Sequence, residues 1–405
     1  MLLADRVTGI DAVPAALVLP GPVRTDGRIW TETDVLPDSW YLDATGRVPA
    51  GVLIEAGQAD LLLLSWLGVD LLNRGGRAYR LLGCEVTFHG GPPRPGDTLC
   101  FEIHLDGHAE ADGVRLAFFH YDCYVDGELR LSVREGQAGF FTAAELAGSG
   151  GVRWDPAGRV PGDDLPLDPP AVRCQRTRFD ADRVRALTLG RPGDCFGPGW
   201  EATAAHVRSP VLDEERLRLL DEVTAFDPAG GPWGRGYLRA GTALSPDDWF
   251  FTGHFKNDPC MPGTLMLQGG LQAMAFYLTA MGFTVDRDGW RFETVDEHPS
   301  RAMCRGQATP ENRKSRLRGV RTRRLGRAGA DALRRRPRLG GRAEGVPRHR
   351  HGPPAGPRLA AVAMAALRSA HRPDRRGPGA AAPSGRAGRA SGGEAGGGGG
   401  RRVRL

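Results

Sequence analysis

An internal repeat constrains this chain more than any other feature of its sequence. Three segments of the first half recur in the same order about 210 residues further on. A near-constant offset indicates that one structural unit occurs twice, so the fold is limited to two copies of that unit. The third pair places a proline before an apolar run, and proline suits the first turn of a helix. The pairs are Leu2–Asp11 with Leu219–Asp227, Leu36–Tyr41 with Ser245–Phe250, and Val48–Ile54 with Met261–Leu267.

A thirteen-residue motif in the second copy, Gly253–Leu265, carries residues suited to catalysis. His254 follows an aromatic run, and a Pro-Gly pair precedes the apolar segment Leu265–Met281, which predicts a helix. The first N–H groups of a helix have no partner within it, so those near Gly263 and Thr264 are free to meet a ligand. The motif therefore offers a base and an oxyanion site within one short segment.

The motif resembles that of the dehydratases that act on 3-hydroxyacyl chains carried on acyl carrier protein. Its nearest resemblance is to the beta-hydroxydecanoyl-type enzymes and to the paired dehydratase domains of polyunsaturated-fatty-acid and polyketide synthases. The family pattern is an aromatic residue, His-Phe, and then Asp-Pro-x-Met-Pro-Gly, which Phe250–Phe255 and Asp258–Gly263 match without a gap. The resemblance implies an α+β double hot-dog, in which two curved antiparallel sheets each wrap a long central helix.

The resemblance also implies that the histidine of one hot-dog meets an acid on the central helix of the other. In single-domain relatives that acid is an Asp six residues after the motif proline, and here the position holds Gln268, which cannot act as an acid. The first copy has no histidine in the motif position, but its equivalent helix position is Glu55. Each copy has kept the group that the other has lost, which predicts one composite site. The alternative interpretation is that Glu55 has no catalytic role and is a solvated carboxylate at a helix start.

These two groups suit the removal of water from a 3-hydroxyacyl thioester. Neutral His254 would take a proton from C2, and protonated Glu55 would give one to the leaving hydroxyl. The apolar neighbours of Glu55 predict burial, which would raise its pKa as an acid catalyst requires. We assign oxyanion or substrate binding to Gly263 and Thr264. Gln58 and Gln272 would orient the acid or the hydroxyl, although a glutamine on a helix face with no role is nearly as well supported.

Composition divides the chain into four parts. We predict a first hot-dog at 1–146, a connector at 147–210, a second hot-dog cut short at 211–314, and a tail at 315–405. The tail has 23 Arg against four acids and no Lys, Phe, Trp, Tyr or Ile, so it should be disordered. This mixture is what a GC-rich gene yields when it is read out of frame. The alternative is a true Arg-rich arm for nucleic acid, but no aromatic residues interleave for base stacking.

The remaining features set the expected surroundings. Seven scattered cysteines without a Cys-x-x-Cys pair, and an N-terminus without a signal peptide, predict reduced thiols and a cytoplasmic protein. The longest apolar run is too short to span a bilayer, so we expect no membrane partner. We also expect no nucleic-acid partner, because the Arg-rich tail has no interleaved aromatic residues. The resemblance implies no metal and no cofactor, because the substrate is carried on the phosphopantetheine arm of acyl carrier protein. The expected partners are acyl carrier protein and other synthase domains. A homodimer is left open. The alternatives to a dehydratase are an inactive hot-dog remnant and a hot-dog thioesterase.

Overall fold

Antiparallel β-sheets and a few helices make up the fold of this computed structural model. It describes residues 3–14, 27–69, 73–111, 113–148, 169–213, 215–304, 306–320, 358–360 and 366–369. The strands are β1 Arg6–Asp11, β2 Gly27–Asp34, β3 Ala78–Phe88, β4 Thr98–Ala111, β5 Val114–Val125, β6 Glu128–Phe141, β7 Glu222–Asp227, β8 Tyr237–Ala243, β9 Arg291–Glu293, β10 Ser300–Met303, β11 Lys314–Val320, β12 Arg358–Ala360 and β13 Ala366–Ser369. The α-helices are α1 Ala50–Ala56, α2 Asp60–Leu67, α3 Ala143–Gly148, α4 Ala181–Thr188, α5 Pro192–Phe196, α6 Trp249–Gly253 and α7 Gly263–Ala280. The predicted α+β class is confirmed.

The larger sheet has the strand order β1-β2-β4-β5-β6-β3-β10, and its neighbouring strands are all antiparallel. Its strands bury alternate residues, as the two-residue period of a strand with one covered face requires. In β5 the buried positions include Phe119, Tyr121 and Cys123. A tight turn joins β5 to β6 through Asp126 and Gly127, whose φ angles of 53° and 78° suit a two-residue hairpin.

Two short helices fill the covered face of this sheet. The sequence predicts one helix over Ala50–Leu67, but the structure divides it into α1 and α2 at Gly57. The break has a packing cause: the Tyr121 hydroxyl donates to the carbonyl of Ile54 at 2.8 Å, and a Cβ on Gly57 would lie 2.3 Å from the Tyr121 ring. By length and composition alone Ala50–Leu67 could cross a membrane, yet 72% of it is buried inside the protein.

The smaller sheet, of order β13-β11-β8-β7, is covered by α7. The sequence predicts this helix over Leu265–Met281, close to the observed bounds. Phe276 and Tyr277 of α7 pack with Phe226 of β7 and Leu238 of β8. Residues of the connector, among them Phe179, Phe196 and Trp200, complete the same core.

The first and second halves meet through their helices and through a shared sheet. The backbone N–H of Gly51 on α1 donates to Oε1 of Gln268 on α7 at 3.1 Å. A Cβ on Gly51 would lie 2.5 Å from the carbonyl oxygen of Thr264, so only glycine permits this approach. Strand β10, from the second half, pairs with β3 and extends the larger sheet.

The structure corrects the predicted end of the second repeat at residue 314. Strand β11 continues to Val320 and pairs with β8 from Lys314 opposite Ala243 to Val320 opposite Tyr237. Two more segments of the predicted disordered tail, β12 and β13, pair with β9 and β11. Composition missed them because strand pairing uses backbone groups, which an Arg-rich sequence also supplies. The rest of the tail, and residues 149–168 of the connector, lie outside the described residues.

Candidate active site

A cavity of about 260 Å³ lies where the two halves meet, and both of them line it. The first half supplies residues of α1, α2 and β3, and the second supplies the histidine motif and the start of α7. The motif segment thus faces the helix that holds Glu55. The polar and aromatic lining residues are Glu55, Gln58, Tyr79, Arg80, His254, Phe255, Cys260, Cys304 and Gln307.

His254 lines the cavity, and a hydrogen bond to the backbone fixes its tautomer. Its Nδ1 lies 2.9 Å from the carbonyl oxygen of Cys260, and because a carbonyl only accepts, Nδ1 must carry the hydrogen. Nε2 is then unprotonated, and it lies 4.0 Å from Oε1 of Glu55. Burial lowers the pKa of His254 below its ordinary value, so the imidazole is neutral near pH 7. His254 therefore has the tautomer and charge that proton abstraction needs.

Glu55 is buried in surroundings that favour its protonated form. It is buried on α1, and the Thr264 hydroxyl donates to its Oε2 at 2.6 Å. Burial raises the pKa of Glu55 to about 7, although the bond from Thr264 opposes the rise. A carboxyl with such a pKa keeps its proton in a large fraction of molecules at neutral pH. Because Thr264 occupies Oε2, Oε1 is the oxygen left to present a proton towards His254. The alternative prediction, that Glu55 is a solvated carboxylate, is wrong because the side chain is buried.

The start of α7 forms the third part of the cavity. Gly263 is its first residue, and no side chain caps this helix end at Pro262. The first N–H groups of an α-helix carry partial positive charge and lack partners within it. A Cβ on Gly263 would lie 2.9 Å from Sγ of Cys304, so a larger residue would be forced against the opposite wall. Gly263 lines the cavity, whereas Thr264 donates to Glu55 and is not among the lining residues.

The loop that carries His254 is clamped from the other half of the molecule. The Arg80 guanidinium of β3 donates to both oxygens of Asp258, with Nη2 2.9 Å from Oδ1. Its Nε also donates to Oε1 of Gln307 at 3.0 Å. Sequence reasoning quoted Asp258 within the motif but did not identify Arg80, which lies far away in the chain. The one available signal was that an acidic loop residue close to a catalytic histidine needs a cationic partner.

The predicted glutamines have different positions. Gln58 lines the cavity, and its Nε2 is 3.5 Å from the Tyr121 hydroxyl. Gln272 was predicted to act at the same site but is not among the residues that line this cavity. It lies one turn beyond Gln268 on α7, on the face towards the buried Asp213. Both amides donate to Oδ2 of that carboxylate, at 3.2 Å from Gln268 and 2.8 Å from Gln272.

A second, larger cavity of about 900 Å³ is lined by the corresponding parts of the opposite copies. It contains Pro49, Ala50 and Gln268, which occupy the repeat positions of Pro262, Gly263 and Glu55. Its histidine, His206, comes from the connector and is 3.2 Å from the Ser209 hydroxyl. The position that corresponds to Glu55 holds an amide here, although the carboxyl groups of other positions, Asp43, Asp213, Asp288 and Glu293, also line the larger cavity.

The described part of the chain holds no cluster of three or more His, Cys, Asp or Glu side chains that could bind a metal ion. The seven cysteines, which all lie among the described residues, form no disulfide bond with one another. Burial raises the pKa of Cys260 to about 11, so its thiol is neutral beside His254.

Residues 212–330 match the family of FabA-like domains, and this segment contains the histidine motif and α7. The second half of the chain therefore carries a FabA-like hot-dog domain. The chain is similar to a polyunsaturated fatty acid synthase polypeptide of Thraustochytrium sp., with 34% identity over 320 residues. That match covers 77% of this chain and 21% of the relative, so the chain spans about a fifth of the length of that protein.

Two solved structures are also similar to parts of the chain. The dehydratase heterocomplex ApeI:P of Xenorhabdus doucetiae matches at 18% identity and a TM-score of 0.25, covering 36% of this chain and 87% of that one. A variant of the phenylacetic acid degradation protein PaaI of Thermus thermophilus matches at 17% identity and a TM-score of 0.21. This second match covers 33% of this chain and 93% of that one.

Proposed function

We propose that this chain dehydrates 3-hydroxyacyl groups carried on acyl carrier protein to trans-2-enoyl groups, in fatty-acid synthesis of the polyunsaturated or polyketide type. The observation that carries the proposal is the facing pair His254 and Glu55, whose Nε2 and Oε1 are 4.0 Å apart in one cavity. Burial moves their pKa values towards the protonation states that a base and an acid need at neutral pH. The similarity to part of a polyunsaturated fatty acid synthase supports the same substrate class.

In this mechanism Nε2 of His254 removes a proton from C2 of the thioester. Electron density moves towards C3, the C3–oxygen bond breaks, and Oε1 of Glu55 gives its proton to the departing hydroxyl, which leaves as water. Negative charge develops on the thioester oxygen while C2 loses its proton. The N–H of Gly263 at the start of α7 would stabilise that charge, and such a donor typically contributes about 100-fold or more in rate.

The apolar part of the cavity suits an acyl chain. Leu61, Leu62, Leu81, Met261 and Met266 line it beside the acid and the base. These side chains would exclude water from C2 and C3 and so strengthen the electrostatic interactions there. The chain itself needs no bound cofactor for this chemistry, because the substrate arrives on the phosphopantetheine arm of its carrier. Acyl carrier protein and neighbouring synthase domains are the proposed partners, and cytoplasmic location remains a prediction.

We also propose that the two halves form a double hot-dog with one active site. Two reciprocal contacts support this architecture. The hydroxyl of Thr264 donates to Glu55, and the backbone of Gly51 donates to Gln268. Position 51 corresponds to 264 and position 55 to 268 in the repeat, so the same pairing occurs in both directions across α1 and α7.

The test is incubation of the full chain with a 3-hydroxyacyl acyl carrier protein, followed by mass spectrometry of the carrier. A dehydratase removes one water and leaves the thioester intact, and His254→Ala should abolish this change. Release of the free acyl acid would instead identify a thioesterase. A well-folded chain that leaves the carrier unchanged across acyl chain lengths would be an inactive remnant, and the proposal would be rejected.

A further inference from the structure

The larger cavity contains arginine side chains whose N–H donors lack acceptors. Its volume of about 900 Å³ lies within the range of small-molecule sites, about 300–1,000 Å³. Arg291 of β9 lines it, and Nη2 of that guanidinium is buried without a hydrogen-bond partner among the described residues. The half-buried Arg130 and the exposed Arg208 also line it, and their guanidiniums form no hydrogen bond or ion pair with another described residue. A buried donor without an acceptor is costly, so Arg291 needs an explanation beyond packing.

We propose that the larger cavity is a second binding site, which takes an acyl chain with an anionic head group. Arg291 is the principal donor to the head group, Arg130 and Arg208 add positive charge to the same cavity, and the chain lies against the apolar part of the lining. This site goes beyond the proposed dehydration, because the two cavities share no lining residue and the larger one contains neither His254 nor Glu55.

An oxyanion is the head group that best satisfies Arg291. A guanidinium is always charged, and its bonds to carboxylate or phosphate oxygens are about twice as strong as bonds between neutral groups. Nε of Arg291 already donates to Oε1 of Glu293 on the same strand, so Nη2 is a donor left for a ligand. The Arg291 side chain is 25% exposed, so a ligand can reach it from the open part of the cavity.

The carboxyl groups of the cavity already interact with neighbouring donors of the protein. Oδ1 of Asp43 accepts from the backbone N–H of Thr45 at 2.7 Å, and Oδ1 of Asp288 accepts from that of Arg208 at 2.8 Å. Asp213 accepts from both Gln268 and Gln272, and burial raises its pKa, which favours its uncharged form. Glu293 pairs with Arg291 and with Arg47. The acids therefore use donors within the protein, whereas the guanidiniums of Arg130 and Arg208 remain available to a ligand.

The apolar part of the lining suits an acyl chain better than a sugar or a nucleotide. Helix α7 presents one face to the cavity, since Gln268, Leu271, Gln272 and Ala275 follow the spacing of a single helix face. Apolar side chains of other elements complete this wall: Leu53 of α1, Phe88 at the end of β3, Trp290 before β9 and Phe292 within it. A mainly apolar wall with a few polar groups is typical of sites that bind such ligands.

The test is isothermal titration of the full chain with dodecanoate and with dodecanol, which has the same chain and a neutral head. Dodecanoate should bind, and dodecanol should bind at least about tenfold more weakly, because a charged hydrogen bond contributes that much. Arg291→Gln and Arg130→Gln should each weaken dodecanoate binding about tenfold and leave dodecanol unchanged. The matched control is Arg185→Gln, an exposed arginine of α4 outside both cavities, which should have no effect. If Arg291→Gln does not fold because Glu293 loses its partner, Arg130→Gln decides.

Two further variants show which cavity the probe occupies. Ala275→Trp places a ring in the larger cavity and should abolish binding, whereas Met266→Trp narrows the smaller one and should leave it intact. Dodecanoyl phosphopantetheine offers a phosphate in place of the carboxylate, and the probe that binds more tightly, with loss in Arg291→Gln, identifies the natural head group.

Three results would overturn the inference. The first is no binding of either anionic probe, which would mean that water alone satisfies Arg291. The second is equal affinity for dodecanoate and dodecanol, or dodecanoate binding that no arginine variant weakens. The third is binding that Met266→Trp abolishes and Ala275→Trp preserves, because the probe would then occupy the smaller cavity. None of these measurements requires turnover, so a chain that binds dodecanoate here and dehydrates no carrier would reject the proposed function and keep this site.

Discussion

Nε2 of His254 lies 4.0 Å from Oε1 of Glu55, although the two residues belong to different halves of the chain. That distance is too long for a direct hydrogen bond and allows both groups to reach one bound substrate. Each residue is oriented by a group outside the pair. Cys260 accepts from His254, and Thr264 donates to Glu55. The composite site therefore depends on how the two halves meet.

The rate should depend on pH through these two groups. His254 must be neutral, and burial lowers its pKa below 6.5, so activity should rise as pH increases through that range. Glu55 must be protonated, and with a pKa of about 7 it should lose its proton as pH increases further. We expect a bell-shaped kcat profile with its maximum between these values. A rate that stays constant up to pH 9 would contradict the assignment of Glu55 as the acid.

Folding stability should also depend on the ionisation of Glu55. Its pKa is about 7 in the folded protein against an ordinary 4.5, so the folded state favours the protonated form. The penalty is absent below pH 4.5, grows as pH rises to about 7, and then stays constant. At about 1.4 kcal/mol for each pKa unit it reaches about 3 kcal/mol. Glu55→Gln should therefore raise the free energy of unfolding at pH 8 and change it little at pH 4, as urea denaturation would measure.

Gln268 should matter for stability and not for the chemical step. It accepts from Gly51 and donates to Asp213, so Gln268→Ala leaves the buried N–H of Gly51 unpaired and removes one of the two amide donors to Asp213. We expect a loss of about 1–3 kcal/mol in unfolding free energy. The kcat of the folded fraction should stay within a few-fold of the parent, whereas Glu55→Gln should lose at least about 100-fold. Equal losses of kcat in the two variants would mean that the acid has been misassigned.

The Arg80–Asp258 pair should control the geometry of the His254 loop. Arg80→Lys keeps the charge but loses the bidentate contact with Asp258, so kcat should fall about tenfold with a smaller change in KM. Asp258→Asn should have a similar effect, and the double variant should be no worse than either, as a double-mutant cycle would reveal. The matched control is Arg6→Lys, whose two-pronged contact with Asp34 is solvent-exposed. Additive losses from Arg80 and Asp258 would show that the pair does not act as a unit.

The approach of α1 to α7 should depend on Gly51. A Cβ there would lie 2.5 Å from the carbonyl oxygen of Thr264 and 2.9 Å from Cβ of Gln268. Gly51→Ala should lower the unfolding free energy by about 1–3 kcal/mol, although alanine is ordinarily the better helix residue. Gly148→Ala, at the end of α3 with open space around it, is the control and should be close to neutral. Thermal denaturation of both variants measures the difference.

The sequence predicted that Glu55 and His254 meet because their positions are fixed by local spacing. Glu55 and Gln268 each lie six residues after a helix-opening proline, and that spacing survives folding. The break in the helix at Gly57 could not be predicted, because its cause is the ring of Tyr121, which is far away in the chain. The Arg80–Asp258 contact was missed for the same reason.

Side-chain contacts also explain a shifted strand. The sequence predicts a strand over Leu217–Thr224, whereas β7 runs from Glu222 to Asp227 and a 3₁₀-helix ends at Leu217. The amide of Gln272 donates to the carbonyl of Leu217 at 2.7 Å and accepts from the N–H of Leu219 at 3.0 Å. These bonds hold the segment against α7, so the strand begins only at Glu222. A periodic apolar pattern does not reveal such a tertiary contact.

Mixing two inactive variants tests the central claim, one active site formed within a single chain by its two halves. His254→Ala and Glu55→Gln should each lose at least about 100-fold in dehydration of a 3-hydroxyacyl carrier. When the two purified chains are mixed and refolded together, the account predicts that activity stays absent, because each chain still lacks one of the two groups. Recovery of activity on mixing would show that His254 and Glu55 meet between chains, and full activity of either variant alone would show that the pair is not the active site.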